Sequence, residues 1–295
     1  MMLPVSPLGR AVALLAVALA SAVALVACSP VASLNALTPG DTYRPTRDVA
    51  YGPLPRQRLD IYAPVSAAPA PGWPTVVFFY GGAWNSGERS DYRFVGEALA
   101  SRGVLVLVAD YRLYPEVRYP SFLEDAAEAL AYGIEHAGAL GGDPRRLFVM
   151  GHSAGGYNAA MLALDPRWLG ATGHRPGELA GWIGLAGAYE FLPLAPDSPA
   201  RPVFFHPDYP PGTQPIDFAT PGVPKAFLGV PLNDKVVSPQ RSSLAMATRL
   251  RDAGVPVELK IYEGVSHALL AGAFARPLRG LAPVLDDVTA WINAN

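Results

Sequence analysis

Short apolar runs alternate with stretches of helical spacing along most of the chain, and this rhythm predicts a strand–helix repeat. Arg58 to Tyr62 alternates polar and apolar positions, as a half-exposed strand does. Thr75 to Tyr80 (Thr-Val-Val-Phe-Phe-Tyr) is β-branched and aromatic with no charge, which fits a central strand covered on both faces. Asp91 to Arg102 has helical spacing and stops at Gly103, and Val104 to Asp110 is another buried strand. Ser121-x-x-Glu124, directly after Pro120, has the form of a capping box and opens a helix to about Ala137. Arg146 to Met150 is a short strand launched from the Asp143-Pro144 turn, Tyr157 to Leu164 a helix, and Trp182 to Leu185 a further strand. Later, Ala226 to Val230 is a strand, and Ser238-Pro239 pairs an N-cap with a proline at the first position of a helix that Gly254 ends. Val257 to Tyr262 is the last strand and Leu281 to Ile292 a closing helix.

Such alternation predicts one α/β domain, a mostly parallel sheet with helices on both faces. Only Tyr189 to Pro224 breaks the rhythm. It is rich in proline, aspartate and aromatics and too long for a plain connection, so residues 189–224 are expected to form a small insertion over the functional site. No internal repeat and no second domain are visible.

Composition changes the picture at the N-terminus. The chain is 51% hydrophobic with a mean hydropathy of +0.20, but the excess is local. Ala11 to Ala27 is an uncharged, apolar stretch, broken only by Ser21, behind Arg10, the arrangement of a secretory signal peptide over residues 1–27. Leu25-Val26-Ala27-Cys28 resembles a bacterial lipobox, in which the cysteine is acylated and becomes the new N-terminus. Cys28 is the only cysteine, so no disulfide can form within one molecule. Ser29 after it, rather than aspartate, leans by resemblance toward the outer membrane. The expectation is a lipid-anchored protein of the bacterial envelope, with residues 28–44 a small, polar, Pro/Gly-punctuated tether and the folded domain over 45–295. Removing residues 1–27 takes away Arg10 alone and leaves 22 basic against 25 acidic side chains, a net charge of −3. With no run of Lys or Arg, nothing points to nucleic acid.

The candidate chemistry centres on Gly151-His152-Ser153-Ala154-Gly155-Gly156, set between a strand and a helix. A Gly-x-Ser-x-Gly in that context is a nucleophile elbow: the turn is too tight for side chains at Gly151 and Gly155, and it exposes the Ser153 hydroxyl above the sheet edge. The Ala154 amide, at a helix N-terminus, can receive developing negative charge. An activated serine needs a base and an acid to orient it, and in such elbows these follow in the order Ser, Asp or Glu, His. Three of the five histidines follow Ser153. His174 lies in a surface turn and His206 in the insertion, whereas His267 comes a few residues after the last strand, where a loop can carry it over the serine. Asp234 follows the strand Ala226–Val230 directly and is the candidate acid. Asp208 and Asp217 lie in the insertion, and Asp286 and Asp287 come after His267. Gly81-Gly82-Ala83-Trp84 follows the central strand, where further oxyanion donors arise. Trp84, Tyr157, Phe191, Phe204 and Phe205 either line an apolar substrate pocket or pack in the core. No His/Cys/Asp cluster has metal-ligand spacing, and no metal or organic cofactor is implied.

From Arg58 onward the chain resembles the α/β-hydrolases of carboxylesterase type, near the hormone-sensitive-lipase-like, feruloyl-esterase-like and kynurenine-formamidase-like groups. The resemblance rests on Leu59-Asp60-Ile61-Tyr62, Gly81-Gly82-Ala83-Trp84, Asp110-Tyr111-Arg112-Leu113 with Pro115-Glu116, the elbow, Asp234 with Val237, and Gly264 to His267. It implies the α/β-hydrolase fold, a small-molecule ester substrate, and oxyanion donors at the amides of Gly82 and Ala83 beside Ala154. The expected activity is carboxylic ester hydrolysis through an acyl-enzyme on Ser153. The alternatives are an amidase such as an arylformamidase, a small peptidase of the same fold, or a non-catalytic envelope lipoprotein. One departure stands out: relatives usually carry histidine where this chain has Tyr80.

Overall fold

The runs richest in β-branched and aromatic residues become the inner strands. The computed structural model describes residues 30–295, and the expected signal peptide, residues 1–27, and Cys28 lie outside the described residues. Eight strands form one sheet: β1 (Tyr43–Ala50), β2 (Arg58–Pro64), β3 (Trp73–Phe79), β4 (Leu105–Ala109), β5 (Gly142–His152), β6 (Gly181–Leu185), β7 (Ala226–Pro231) and β8 (Val257–Tyr262). The helices are α1 (Pro30–Ala36), α2 (Arg93–Ala100), α3 (Ser121–His136), α4 (Ala154–Leu164), α5 (Pro166–Ala171), α6 (Ala245–Asp252), α7 (His267–Gly272) and α8 (Val284–Ala294). Strand order is β1-β2-β4-β3-β5-β6-β7-β8. β2 runs antiparallel to both its neighbours, and β3 to β8 are mutually parallel. Every residue of β3 and β4 is buried, as expected for strands packed on two faces. Helices α2 and α8 touch each other, while α3, α4 and α5 form a separate mutually packed group.

Several local expectations are corrected. The stretch read as a tether to Arg44 is folded onto the domain from Pro30. Asn35 Nδ2 donates to the carbonyls of Ser90 (2.8 Å) and Asp91 (3.0 Å), and Thr42 Oγ1 donates to Glu97 (2.9 Å). The domain then opens with β1, whose residues after Tyr43 are almost all exposed, so it carries no hydrophobic alternation to read. Ser121 is not a cap: Pro120 holds the N-cap position, Ser121 is already helical, and no side-chain cap bond forms. The Ser121 amide is instead used in a turn to Arg118 O, 2.9 Å away. Asp143-Pro144 lies inside β5, at a register irregularity against β3, rather than ahead of it. The closing helix starts at Val284, after Pro283, not at Leu281.

The parallel strands end together at one edge of the sheet. Ser153 follows β5, Asp234 follows β7, His267 follows β8, and the Gly81–Trp84 loop follows β3, the end at which ligands bind in open α/β sheets.

Candidate active site

Ser153 owes its position to backbone-to-backbone contact at the elbow. A Cβ on Gly151 would fall 2.0 Å from Gly155 O, and one on Gly155 would fall 2.0 Å from Phe79 O. Neither site has room for a side chain, so α4 starts directly against β3 and β5. The turn forces Ser153 to φ 55° and ψ −119°, a strained conformation for a residue with a side chain. Its amide donates to Leu185 O (2.9 Å), which ties the elbow to β6.

Around this serine the structure brings together the three side chains singled out in the sequence. His267 Nε2 lies 2.8 Å from Ser153 Oγ, and His267 Nδ1 lies 2.6 Å from Asp234 Oδ2. The carboxylate fixes the tautomer: Nδ1–H donates to Asp234, leaving Nε2 to accept the serine proton. Asp234 is itself held by its own loop, since Oδ1 accepts from the amides of Val236 (2.8 Å) and Val237 (3.1 Å). Burial raises the affinity of this carboxyl for a proton, but the hydrogen bond and charge of His267 and the two amides outweigh it. Asp234 is therefore held below the usual carboxylate range. His267 opens α7, where Ser266 Oγ caps the helix by accepting from Leu269 N (3.3 Å).

His152, next to the serine in sequence, is not among the residues the sequence singles out, and its ring lies beside that of His267, with centroids 4.9 Å apart. Its Nε2 donates to His267 O (2.9 Å), which latches the histidine loop to the end of β5. Burial, with a further contribution from nearby His267, pushes His152 down to about 3, which keeps the ring neutral near pH 7. Only its place before the serine could have flagged it.

The Gly81–Trp84 loop supplies the other donors. Gly82 has φ 128°, and a Cβ there would meet Ser86 O at 2.2 Å; Ala83 and Trp84 follow at φ 50° and 58°. Gly82 O accepts from the amides of Asn85 (3.0 Å) and Ser86 (3.1 Å), while the amides of Gly82 and Ala83 make no backbone hydrogen bond within the loop. Ala83, Ala154 and Ser153 line a cavity of about 560 Å³. Tyr80, before the loop, is fully buried.

Of the five candidate pocket aromatics, Trp84 and Phe191 line that cavity and Tyr157, Phe204 and Phe205 do not. Tyr157 packs edge-on beneath Trp84, with centroids 5.1 Å apart, and its hydroxyl donates to Thr213 O (2.8 Å). It therefore pins the insertion to α4 instead of meeting a ligand. Phe204 is buried in the same cluster, and Phe205 is on the surface under Arg118. The insertion lines the cavity through residues 190–200, and residues 235–242, which Arg241 ties to Leu192 O, line it as well. Gln214, also not anticipated, fastens the first of these segments: its Oε1 accepts from the amides of Phe191 and Leu192, each at 2.9 Å. His206, Asp208 and Phe205 border a separate, more open depression that holds none of the site residues. His174 pairs with Glu178 and Glu135, and Asp217 lies in a short 3-10 turn.

A family model described as BD-FAE matches residues 59–168. The carboxylesterase NlhH of Mycobacterium tuberculosis is 32% identical over 235 residues, covering 71% of this chain and 72% of that protein. A probable isoprenylcysteine alpha-carbonyl methylesterase of Oryza sativa subsp. japonica is 30% identical over 278 residues, covering 84% of this chain. The match spans 64% of that methylesterase, a little under two thirds of its length. Among solved structures, an esterase of Pyrobaculum calidifontis superposes with a TM-score of 0.72 at 21% identity, over 90% of this chain and 89% of that one. The last comparison speaks to the fold, which is that of the α/β-hydrolases.

Proposed function

Because the chain belongs to the carboxylesterases of the α/β-hydrolase superfamily, we propose that it hydrolyses small carboxylic esters through an acyl-enzyme on Ser153. One observation carries the reading: an unbroken hydrogen-bonded chain runs from Asp234 through His267 to Ser153, and its last member opens on a cavity. In the first step Ser153 Oγ attacks the ester carbonyl carbon while its proton passes to His267 Nε2. The amides of Gly82, Ala83 and Ala154 receive the resulting oxyanion. Collapse breaks the bond to the alcohol, which leaves with the proton from Nε2. Water then attacks the acyl-enzyme by the same route, releasing the acid and restoring Ser153. Asp234 keeps the imidazole in the accepting tautomer and balances its positive charge while it holds the proton.

The test is Ser153→Ala assayed on nitrophenyl esters of increasing acyl length, with fluorophosphonate labelling of the wild type. The variant is expected to stay folded and to lose about 10³-fold or more in turnover, along with all labelling. Near wild-type turnover in a folded Ser153→Ala protein refutes the reading. Faster turnover of N-formylkynurenine than of any ester redirects it to an amidase, and no turnover or labelling of the wild type to a binding role.

On the sequence alone, we also propose that Cys28 is acylated and anchors the enzyme to the bacterial envelope, on the outer membrane. Cys28 lies two residues before Pro30, the first described residue and already part of α1, which amounts to at most about 7 Å of extended chain. The catalytic domain would therefore ride close to the bilayer instead of on a long tether. Intact-mass analysis of the mature N-terminus decides this, since an unmodified first residue overturns the anchor and leaves the hydrolase untouched.

A further inference from the structure

The loop that carries Gly82 and Ala83 is closed at its stem by a buried polar cluster. Tyr80 precedes the loop and is stacked between Tyr92 (centroids 5.5 Å apart, planes at 20°) and Tyr111 (4.9 Å, 22°). Its hydroxyl donates to Asp110 Oδ1 (2.9 Å) and accepts from Arg56 Nη2 (3.0 Å). Burial raises this phenol well above its ordinary range, so it stays protonated and remains a donor.

The same two partners hold the far end of the loop. Arg56 Nη2 also donates to Gly87 O. Asp110 Oδ1 also accepts from the Arg89 amide (2.7 Å), and its other oxygen pairs with the Arg89 guanidinium. Arg89 continues to Asp60 Oδ1 (3.0 Å) on β2, and Tyr111 returns to the start of the loop by donating its hydroxyl to Tyr80 O (2.7 Å). Residues 80 and 87–89 are thus fastened to one carboxylate and one guanidinium, with the candidate oxyanion donors on the arc between them. Gly87 closes the ring sterically, since a Cβ there would lie 3.0 Å from the Tyr80 ring.

We propose that Tyr80, with Asp110 and Arg56, is a positioning residue that sets the Gly82 and Ala83 amides for the oxyanion, a role that rests on the serine-hydrolase reading above. None of the three side chains lines the cavity, so they act through the loop and not by touching substrate. Within the arc, Trp84 is anchored by its Nε1 donating to Asn158 Oδ1 (3.1 Å) and its carbonyl accepting from the Tyr114 amide (2.8 Å), whereas Gly82 O accepts only from within the loop, so the Gly82 end depends on the stem. Oxyanion donors contribute only when they meet the charge of the transition state at the right distance. A small displacement is therefore read out in turnover before it is read out in substrate affinity.

The experiment is Tyr80→Phe, which keeps the stacked ring and removes the hydroxyl, in the full-length enzyme acting on nitrophenyl butyrate. The expected result is a fall in kcat of about 10- to 100-fold with KM within about threefold. Affinity for a trifluoromethyl ketone, which forms an oxyanion on the serine, should weaken by the same factor as kcat/KM. Tyr62→Phe is the control: it also removes a buried hydroxyl, one bonded to Arg47 on β1, and should leave kcat unchanged. Asp110→Asn keeps an oxygen for the hydroxyl and the Arg89 amide but loses the ion pair, so a smaller loss with the same split is expected. It also gives a second reading should Tyr80→Phe fail to fold. A folded Tyr80→Phe enzyme with kcat within twofold of wild type, a change confined to KM, unaltered inhibitor affinity, or an equal loss in Tyr62→Phe each overturns the proposal. If Ser153→Ala abolishes turnover and labelling while Tyr80→Phe matches wild type, only the positioning role falls. If Ser153→Ala stays active, the hydrolase reading falls first.

Discussion

Replacing Asp234 with asparagine tests the proposed triad at a single atom. In the native loop, Oδ1 accepts two amides, from Val236 and Val237, and Oδ2 accepts from His267 Nδ1. An asparagine of nearly the same shape must keep its oxygen where the two amides donate, since turning its NH₂ toward them sets donor against donor. The NH₂ group is therefore forced to face His267. Nδ1 must then accept, the ring proton moves to Nε2, and Nε2–H points at Ser153 Oγ, from which it can no longer take a proton. The fold keeps every hydrogen bond, so stability should change by no more than about 1 kcal/mol, whereas kcat should fall by about 10³–10⁴-fold with KM little changed.

The comparison with Asp234→Ala sharpens the reasoning. Alanine removes the charge but leaves the imidazole free to take either tautomer, so the near-isosteric asparagine should be no more active than alanine. The assay is steady-state hydrolysis of nitrophenyl butyrate with active sites counted by fluorophosphonate titration, alongside thermal unfolding. An Asp234→Asn enzyme within tenfold of wild-type kcat, or clearly faster than Asp234→Ala while equally folded, would refute both the assignment of the acid and the tautomer argument.

Two further outcomes follow from the same geometry. His152 is pushed down to about 3 when folded, against an ordinary 6.5, so an unfolded chain takes up a proton that the native state disfavours. Its contribution to stability is present above pH 6.5 and lost as pH falls from there toward 3, at up to about 1.4 kcal/mol per pH unit. Asp234, held below its ordinary 3.8, adds a loss only beneath that value. The urea midpoint of the wild type should therefore drop between pH 6.5 and 4 and that of His152→Gln should drop less, while parallel curves would show that another group is responsible. Gly155→Ala drives a Cβ to 2.0 Å from Phe79 O and 2.6 Å from Tyr80 O, backbone atoms that cannot swing away. It should cost about 3 kcal/mol or more and abolish turnover; a variant that melts with the wild type would mean that α4 does not start where described.

The sequence was legible where one physical demand acts alone. A strand buried on both faces cannot carry polar residues, so β3 and β4 stand out as apolar runs. The elbow glycines are dictated by backbone contacts that exclude any side chain. Asp234 and His267 could be placed because parallel strands deliver the loops after β7 and β8 to the same edge as the elbow. What could not be read depends on contacts between segments remote in sequence. β1 is an edge strand with an exposed surface, and only its pairing with β2 defines it. Helix α1 is docked by one asparagine on two carbonyls 55 and 56 residues away. Ser121 and Glu124 have the letters of a capping box, but a turn ending at Ser121 has already used its amide.

The same distinction explains the aromatics and the polar brace. Trp84, Phe191 and Tyr157 are equivalent in a hydrophobic pattern. They differ only in which of them faces the cavity once the insertion is in place, and the insertion is held in part by Tyr157 on Thr213 O and by Gln214 on the amides of Phe191 and Leu192. Asp110 reads as the polar end of a buried strand and Arg56 as a surface charge. Their meeting on Tyr80 requires β2, β4 and the loop after β3 to be assembled first. A chain can therefore display its nucleophile, base and acid in order while the apparatus that aims them stays hidden. The former are fixed by strand ends, and the latter by side chains that become neighbours only once the sheet has formed.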